Sequence, residues 1–383
     1  MKKIAVYIFL FLFFFGFSMK TSYAIVNPLS VPNNKFGIHI LFTSELQEAS
    51  ALVNSNGGDY GYVTIPIQAG DKNIGKWQRF LNNAGKYHLI PIIRLSTEGD
   101  YFNTKVWRKP NDMDIVDFAN FLNSLNWPTK NRYIVVFNEP NRADEWGGSV
   151  DPAGYAKILS YAYSVFKSRN KDFFIISAGL DNAAANNGNQ SMNEYDFLTQ
   201  MQEAVPGIFN QIDGIGSHSY PNPGFEQSPQ NGREGVSSFK YEKSLIESFT
   251  NRDLPIFITE TGWSNKRVSG KQIKSYYDES FNSIWNEKDI VAVTPFLLSA
   301  GSGPFTEFSF VDPNGTQTAS YKAIKDLPKI KGEPVLAPLV LSARIQPQKL
   351  IVQDFDHSKS SFSVSKIEVP PFVKIALKWL LKL

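Results

Sequence analysis

The stretch YIVVFNEP, residues 133–140, joins five apolar residues to a polar Asn-Glu-Pro turn. A short apolar run of this kind predicts a buried strand, and the proline marks its end. Helical periodicity flanks the strand on both sides, at residues 113–125 and 152–168. Asp151 followed by Pro152 is a favourable helix start, because Asp caps the first turn and Pro suits its first position. Helix, strand and helix in this order predict one unit of a parallel α/β sheet.

The same alternation of strand and helix runs through the chain from Lys35 onward. Other helical stretches are residues 74–87, 241–249 and 272–285. Strict alternation favours a closed (β/α)₈ TIM barrel over an open doubly wound sheet, and the active site of such a barrel lies at the carboxyl ends of its strands. The eight predicted strands are residues 36–41, 60–67, 89–95, 133–137, 173–178, 212–217, 255–259 and 290–297.

Composition excludes several classes of protein. The chain has 383 residues, 42% hydrophobic and 20% charged, which is typical of a globular protein with a sizeable core. The formal charge of +3 comes from three lysines before Ala24, and the rest of the chain is balanced, so we expect no nucleic-acid partner. Cysteine is absent and the four histidines are scattered, which excludes thiolate sites and disfavours a histidine-rich metal site. We expect no cofactor and no metal.

The N-terminus has the pattern of an export signal, residues 1–24. Two lysines precede an apolar run at residues 4–17, and the small-x-small sequence Ser22-Tyr23-Ala24 follows it. The alternative is an uncleaved membrane anchor, but the run is shorter than the roughly 20 residues that cross a bilayer. We therefore expect a secreted or envelope-associated protein whose catalytic domain occupies residues 33–330.

Two glutamates directly follow predicted strands, Glu139 after the fourth strand and Glu260 after the seventh. Strand ends meet at one mouth of a barrel, so both carboxyl groups should face the same pocket. Glycoside cleavage needs such a pair, because one carboxyl protonates the leaving oxygen while the other attacks or activates water. Either glutamate alone could be a solvated loop residue, but two at one mouth predict a glycosidase.

Asn138-Glu139-Pro140 and Glu260, in this strand order, resemble the clan-A retaining glycoside hydrolases, the cellulase, mannanase and xylosidase superfamily built on (β/α)₈ barrels. The resemblance covers residues 35–327. It implies that Glu139 is the acid/base, that Asn138 binds the sugar 2-hydroxyl and that Glu260 is the nucleophile of a double displacement. It also implies a carbohydrate substrate, an oligo- or polysaccharide with β-linkages.

The sequence GSHSY, residues 216–220, matches a third feature of that superfamily, a His-x-Tyr after strand six. Tyr220 can donate its phenolic hydrogen to Glu260 and hold it ionised, although it could also be a half-buried aromatic of the rim. We expect His218 to contact substrate. The alternative for His218 is a hydrogen-bonded histidine of the core.

The chain departs from the superfamily at two strand ends. Many members carry Arg after strand two and Trp after strand eight, whereas this chain has Gln68 and Phe296 there. Arg94, at the end of strand three, could supply the missing cation beside Glu260, or it could form a salt bridge at the barrel rim. Trp263 could replace the usual sugar platform, or it could pack against the barrel. We predict that Arg94, Trp263 and Phe296 all contact substrate.

The C-terminal region reads as an extension of the barrel. Residues 331–371 are interpreted as a linker with strand-like pieces, and residues 372–383 as a basic amphipathic helix. Lys374, Lys378 and Lys382 recur every four residues beside an apolar surface, a pattern typical of helices that lie on anionic membranes. The alternative is docking onto the barrel. We expect a monomer, and the competing function is a catalytically silent barrel that binds glycans at the cell envelope.

Overall fold

The structure is a computed structural model that describes residues 25–97, 105–230, 232–301 and 303–338. The predicted export signal, most of the predicted C-terminal linker and the whole basic helix lie outside the described residues. Among the residues that are described, no helix is both long enough and apolar enough to cross a membrane.

Eight strands and eight α-helices alternate along the described part of the chain. Each of the eight predicted strands overlaps an observed one. The elements are β1 (Gly37–His39), α1 (Leu46–Val53), β2 (Gly61–Gln68), α2 (Ile74–Lys86), β3 (Leu89–Ser96), α3 (Asp112–Asn123), β4 (Arg132–Val135), α4 (Pro152–Arg169), β5 (Phe173–Ile176), α5 (Glu194–Ala204), β6 (Ile215–His218), α6 (Ser238–Glu247), β7 (Ile256–Glu260), α7 (Gly270–Asn282), β8 (Ile290–Val293) and α8 (Ala319–Asp326).

The strands form a closed parallel barrel. Strands β1 to β5 pair in chain order, and so do β6 to β8. A parallel bridge between Ile176 and Gly214 joins β5 to the residue before β6, and a bridge between Phe36 and Val293 joins the start of β1 to β8. The (β/α)₈ prediction is therefore confirmed, with every strand end on one face of the molecule.

Two apolar layers hold the barrel together. A large cluster fills the space between strands and helices, and a smaller one fills the barrel interior, with Tyr62, Ile92, Tyr133 and Phe257 among its members. Side chains along a strand alternate between these layers. On β3 the inward positions 90 and 92 are apolar, and the next inward position is Arg94. Because side chains alternate along β3, the guanidinium of Arg94 lies inside the barrel at its mouth.

Local capping fixes where the helices start. Asp151 accepts a hydrogen bond from the Gly154 amide at 2.8 Å, with Pro152 at the first position of α4, as the sequence predicted. Asn73 caps α2 in the same way, through the Lys76 amide at 2.9 Å. A cap of this kind stabilises a helix by about 1 kcal/mol.

The described part of the predicted linker, residues 331–338, is bound to the amino-terminal face of the barrel. We call these eight residues the basal strap. The Lys130 amide donates to Val335 O at 2.8 Å, and the Gly332 amide donates to Asp59 O at 2.9 Å. These backbone hydrogen bonds join the strap to the loops that precede β2 and β4. A Pro-punctuated composition does not reveal such hydrogen bonds to distant backbone, so the sequence did not predict where this part of the extension lies.

Candidate active site

A cleft of about 340 Å³ opens at the carboxyl ends of the strands. Both predicted catalytic glutamates line it. Other lining residues come from the ends of several strands and from the loops that follow them: Leu41, Arg94, Ser96, Lys105, Trp107, Asn138, Arg142, Asp144, Glu145, Asp181, Tyr220, Asn222, Phe225, Phe296, Phe305 and Phe308.

Glu260 is the last residue of β7 and is 7% exposed. The Arg94 Nη1 donates to its Oε1, and the Tyr220 hydroxyl donates to its Oε2 at 2.9 Å. Burial alone would raise the pKa of Glu260, but the positive charges of His218 and Arg94, with the Tyr220 hydrogen bond, outweigh it and lower the pKa to about 2. Glu260 is therefore a carboxylate at neutral pH.

Glu139 follows β4 in a turn that contains two residues with positive φ. Its φ is +32° and that of Phe137 is +69°, both in the left-handed region that is costly for residues with a side chain. The His218 Nδ1 lies 2.8 Å from Glu139 Oε1, and the Arg142 Nη1 lies 3.6 Å from Oε2. Strain of this kind persists where surrounding contacts determine the conformation, and here His218 and Arg142 contact the Glu139 carboxyl group.

His218 lies close to both carboxyl groups and interacts electrostatically with each. Its Nδ1 is 2.8 Å from Glu139 and 3.9 Å from Glu260. Burial by itself would lower the pKa of His218, but the charges of Glu260 and Glu139 outweigh burial and raise it. A positively charged imidazole in this position stabilises the carboxylate of Glu260.

The two carboxyl groups are close together. One oxygen of Glu139, one oxygen of Glu260 and a ring nitrogen of His218 all lie within 4.8 Å of one another. These are also the described groups best placed to hold a metal ion. Arg94, however, already brings a positive charge to Glu260, and that charge opposes a cation at the same oxygen.

Arg94 bridges the two halves of the site. The same Nη1 that pairs with Glu260 donates to Asn138 Oδ1 at 2.6 Å. This places a cation beside Glu260 and orients the Asn138 amide, whose nitrogen then faces away from the guanidinium. Arg94 is only 8% exposed, so its first contacts are these protein groups.

Two predicted substrate contacts are corrected by the structure. Trp263 is 1% exposed, packs edge-on against Tyr277 at 4.8 Å between ring centroids, and donates to Gln227 O at 2.8 Å. It belongs to the core, so it is not a sugar platform. His218 is fully buried and contacts the carboxyl group of Glu139. It does not line the cleft. Phe296, in contrast, does line the cleft.

Sequence reasoning missed several residues of the site. His39, at the end of β1, is fully buried, and its Nε2 lies 3.7 Å from Glu260 Oε1. Burial and the Arg94 charge lower the pKa of His39 to about 3, so the ring is neutral. Arg142, Glu145 and Asp181 were also missed. The available signal for His39 was its position at a strand end, and for Arg142 its place three residues after Glu139.

A family model described as the glycosyl hydrolase catalytic core matches residues 100–323, which is more than half of the chain. The chain belongs to this family. The residues matched include the ends of β4 to β8 and thus both Glu139 and Glu260. The polar cleft and the two carboxyl groups are therefore those of a glycoside hydrolase domain. No curated protein matches the sequence.

Solved structures of glycoside hydrolases share the fold. A family 39 glycoside hydrolase from Bacteroides cellulosilyticus is 16% identical, with a TM-score of 0.53 over 78% of this chain and 64% of its own. A GH39 β-xylosidase from Caulobacter crescentus is 15% identical, with a TM-score of 0.57 over 80% and 74%. A GH5_18 protein from Streptomyces cattleya, solved with GlcNAc, is 13% identical, with a TM-score of 0.52 over 77% and 79%. This chain thus spans less than two thirds of the first of these proteins.

Proposed function

We propose that this protein is a retaining β-glycosidase that hydrolyses an oligo- or polysaccharide by double displacement. The observation that supports retention is the spacing of Glu139 and Glu260. One carboxyl oxygen of each residue lies within 4.8 Å of the other. Retaining enzymes hold their carboxyl groups about 5 to 5.5 Å apart, whereas inverting enzymes separate them by about 6.5 to 9.5 Å to admit a water.

In the first step, the ionised Glu260 attacks the anomeric carbon while Glu139 gives its proton to the departing glycosidic oxygen. The C–O bond to the leaving group breaks as the bond to Glu260 forms, so a glycosyl ester results. Arg94 and Tyr220 fix the nucleophile, because each holds one of its two oxygens.

In the second step, water attacks the same anomeric carbon and Glu139 takes its proton. The ester bond to Glu260 breaks and the carboxylate is restored, which gives net retention. Esterified Glu260 carries no charge, so the negative charge that Glu139 has after protonating the leaving group no longer faces a second carboxylate. The same residue can therefore serve as acid and afterwards as base.

Variants of the two glutamates test this mechanism. We expect Glu260→Ala to abolish hydrolysis of every glycoside. Glu139→Ala should spare aryl glycosides whose leaving group needs no proton, and azide should accelerate it by attacking the glycosyl-enzyme to give a β-glycosyl azide. The measurements are turnover of 4-nitrophenyl and 2,4-dinitrophenyl β-glycosides, and product configuration by proton NMR.

Equal loss in both variants on the activated substrate, with no azide product, would contradict the assignment of roles. Inverted product from the wild type would contradict retention. Glycan binding without turnover by the wild type would favour the silent barrel instead.

We further propose that the protein is exported and contacts membranes through residues 372–383. The support is the sequence pattern alone, an export signal at the N-terminus and three lysines on one face of a terminal helix. Each lysine near an anionic leaflet adds about 1 kcal/mol of attraction. Deleting Pro371 to Leu383 should leave turnover of soluble substrate unchanged and reduce sedimentation with anionic vesicles. A fall in melting temperature, with no vesicle binding by either form, would instead indicate a structural helix.

A further inference from the structure

Glu145 is a third carboxyl group in the cleft, on the wall that carries Glu139. It lines both the main cleft and a small adjoining recess of about 10 Å³. Ser96, Trp107 and Asn138 line both spaces with it. Since Asn138 directly precedes Glu139, Glu145 lies close to the place where a bound sugar would meet the acid/base.

Unlike its acidic neighbours, the Glu145 carboxyl has no hydrogen-bond or ion-pair partner among the described residues. Asp144 pairs with Arg142 at 2.7 Å, and Asp181 lies 3.4 Å from the same guanidinium. Glu260 is paired with Arg94. A polar group that faces a cleft without a protein partner is available to a ligand, and a polar ligand group that fills it is recognised strongly.

The charge of the cleft favours a neutral ligand. Its described lining carries five acidic side chains, Glu139, Asp144, Glu145, Asp181 and Glu260, and three basic ones, Arg94, Lys105 and Arg142. Both arginines are engaged by carboxylates of the protein itself. Lys105 is exposed. An acidic sugar would therefore find both arginines of the cleft already paired and would face the carboxyl group of Glu145.

We propose, on the basis of the glycosidase function above, that Glu145 is a specificity-determining residue that binds hydroxyl groups of a neutral sugar and rejects uronic acids. A carboxyl group accepts hydrogen bonds from sugar hydroxyls in either charge state, and when protonated it also donates one. Only its ionised form repels a uronate.

The charge state of Glu145 makes this selectivity depend on pH. Burial raises the pKa of Glu145 to about 7, the charges of Glu139 and Asp144 act in the same direction, and Arg94 and Arg142 oppose it. Below that pKa the group is neutral, and above it the group is negative. Rejection of a uronate should therefore strengthen as the pH rises through neutrality.

The test compares wild type, Glu145→Gln and Glu145→Ala on 4-nitrophenyl β-glucoside and β-glucuronide at about pH 6 and about pH 8. Glu145→Gln keeps the hydrogen bonds but not the charge, so it should raise the glucuronide-to-glucoside ratio of kcat/KM by about tenfold at the higher pH. Glu145→Ala should raise KM for the glucoside with little change in kcat. Glu203→Gln, a surface glutamate of α5, is the matched control and should behave as wild type.

An unchanged ratio in Glu145→Gln at both pH values, with normal glucoside turnover, would overturn this proposal and leave the glycosidase function intact. If the wild type hydrolyses neither substrate, the role of Glu145 is tested by binding instead of turnover. Calorimetric titration with methyl β-glucoside and methyl β-glucuronide then decides the role of Glu145 separately. The wild type should bind the glucoside more tightly than the glucuronide, and Glu145→Gln should reduce this difference in affinity. The same difference in affinity in wild type and variant would overturn the proposal.

Discussion

At the scale of single residues, the site is governed by the contacts of Glu260. Arg94 and Tyr220 each hold one oxygen of this carboxylate, but removing them has different consequences. Without Arg94 the buried charge of Glu260 would lose its ion pair, and breaking a buried pair costs about 3 to 5 kcal/mol of stability. Without the Tyr220 hydroxyl only one hydrogen bond is lost. The tyrosine is therefore the better probe of how Glu260 is kept ionised.

We predict that in Tyr220→Phe the acidic limb of the pH profile of kcat/KM lies about one pH unit higher than in wild type. The Tyr220 hydrogen bond contributes to the low pKa of Glu260, so its loss raises that pKa and Glu260 becomes protonated at a higher pH. The measurement is a pH–rate profile on an aryl glycoside. Tyr241→Phe, at an exposed tyrosine, is the control. Coincident acidic limbs in Tyr220→Phe and wild type would show that the hydroxyl does not act on Glu260.

At the scale of elements, a second pair of acidic groups lies outside the cleft, between α5, β6 and α6. Glu242 of α6 is 2% exposed and accepts from the Ser217 hydroxyl of β6 at 2.8 Å and from the Ser238 hydroxyl at 3.1 Å. Glu194, at the start of α5, is fully buried, and neither of its carboxyl oxygens has a hydrogen-bond partner among the described residues. Burial raises the pKa of both groups, and their proximity raises that of Glu194 further.

Glu242→Gln should stabilise the protein at alkaline pH. A carboxyl group whose pKa is raised by folding binds more protons in the folded state, so it favours folding at acid pH and loses that contribution as the pH rises through the folded pKa. The glutamine can still accept from Ser217 and Ser238 without titrating. We expect melting temperatures near those of wild type at about pH 5, and higher than wild type at about pH 8.

Glu247→Gln, on the exposed part of the same helix, separates this effect from a general change of charge. A parallel pH dependence in Glu242→Gln and wild type would mean that Glu242 does not titrate on unfolding.

At the scale of the whole molecule, the two ends of the barrel serve different purposes. The carboxyl ends carry the cleft, whereas the amino-terminal face is covered by residues close to both limits of the described chain. Val26 donates its amide to Asn131 Oδ1 at 2.9 Å, and the basal strap adds the bonds from Lys130 and Gly332 described above. The cleft and the segments that cover the base of the barrel therefore lie on opposite faces of the molecule.

A chain that ends at Ile330 should melt several degrees below one that ends at Pro338. The shorter chain lacks the basal strap, so backbone groups such as the Lys130 amide and Asp59 carbonyl lose their partners. Thermal unfolding followed by circular dichroism measures the difference. Activity per folded molecule should be the same, because the strap lies at the face opposite the cleft. Identical melting temperatures would show that the strap contributes nothing to folding.

The sequence by itself determined the barrel and predicted the two glutamates at its mouth, because both depend on local patterns. Apolar runs and helical periods gave eight strands in order, and a strand end places Glu139 and Glu260 without knowledge of any distant contact. Alternation along β3 likewise carried Arg94 to the mouth. Tertiary structure alone decided that Trp263 is core, that His218 contacts the carboxyl groups, and that Glu145 has no partner among the described residues of the cleft. Those outcomes depend on contacts such as Arg94 with Glu260, which are 166 residues apart, and only barrel closure brings such residues together.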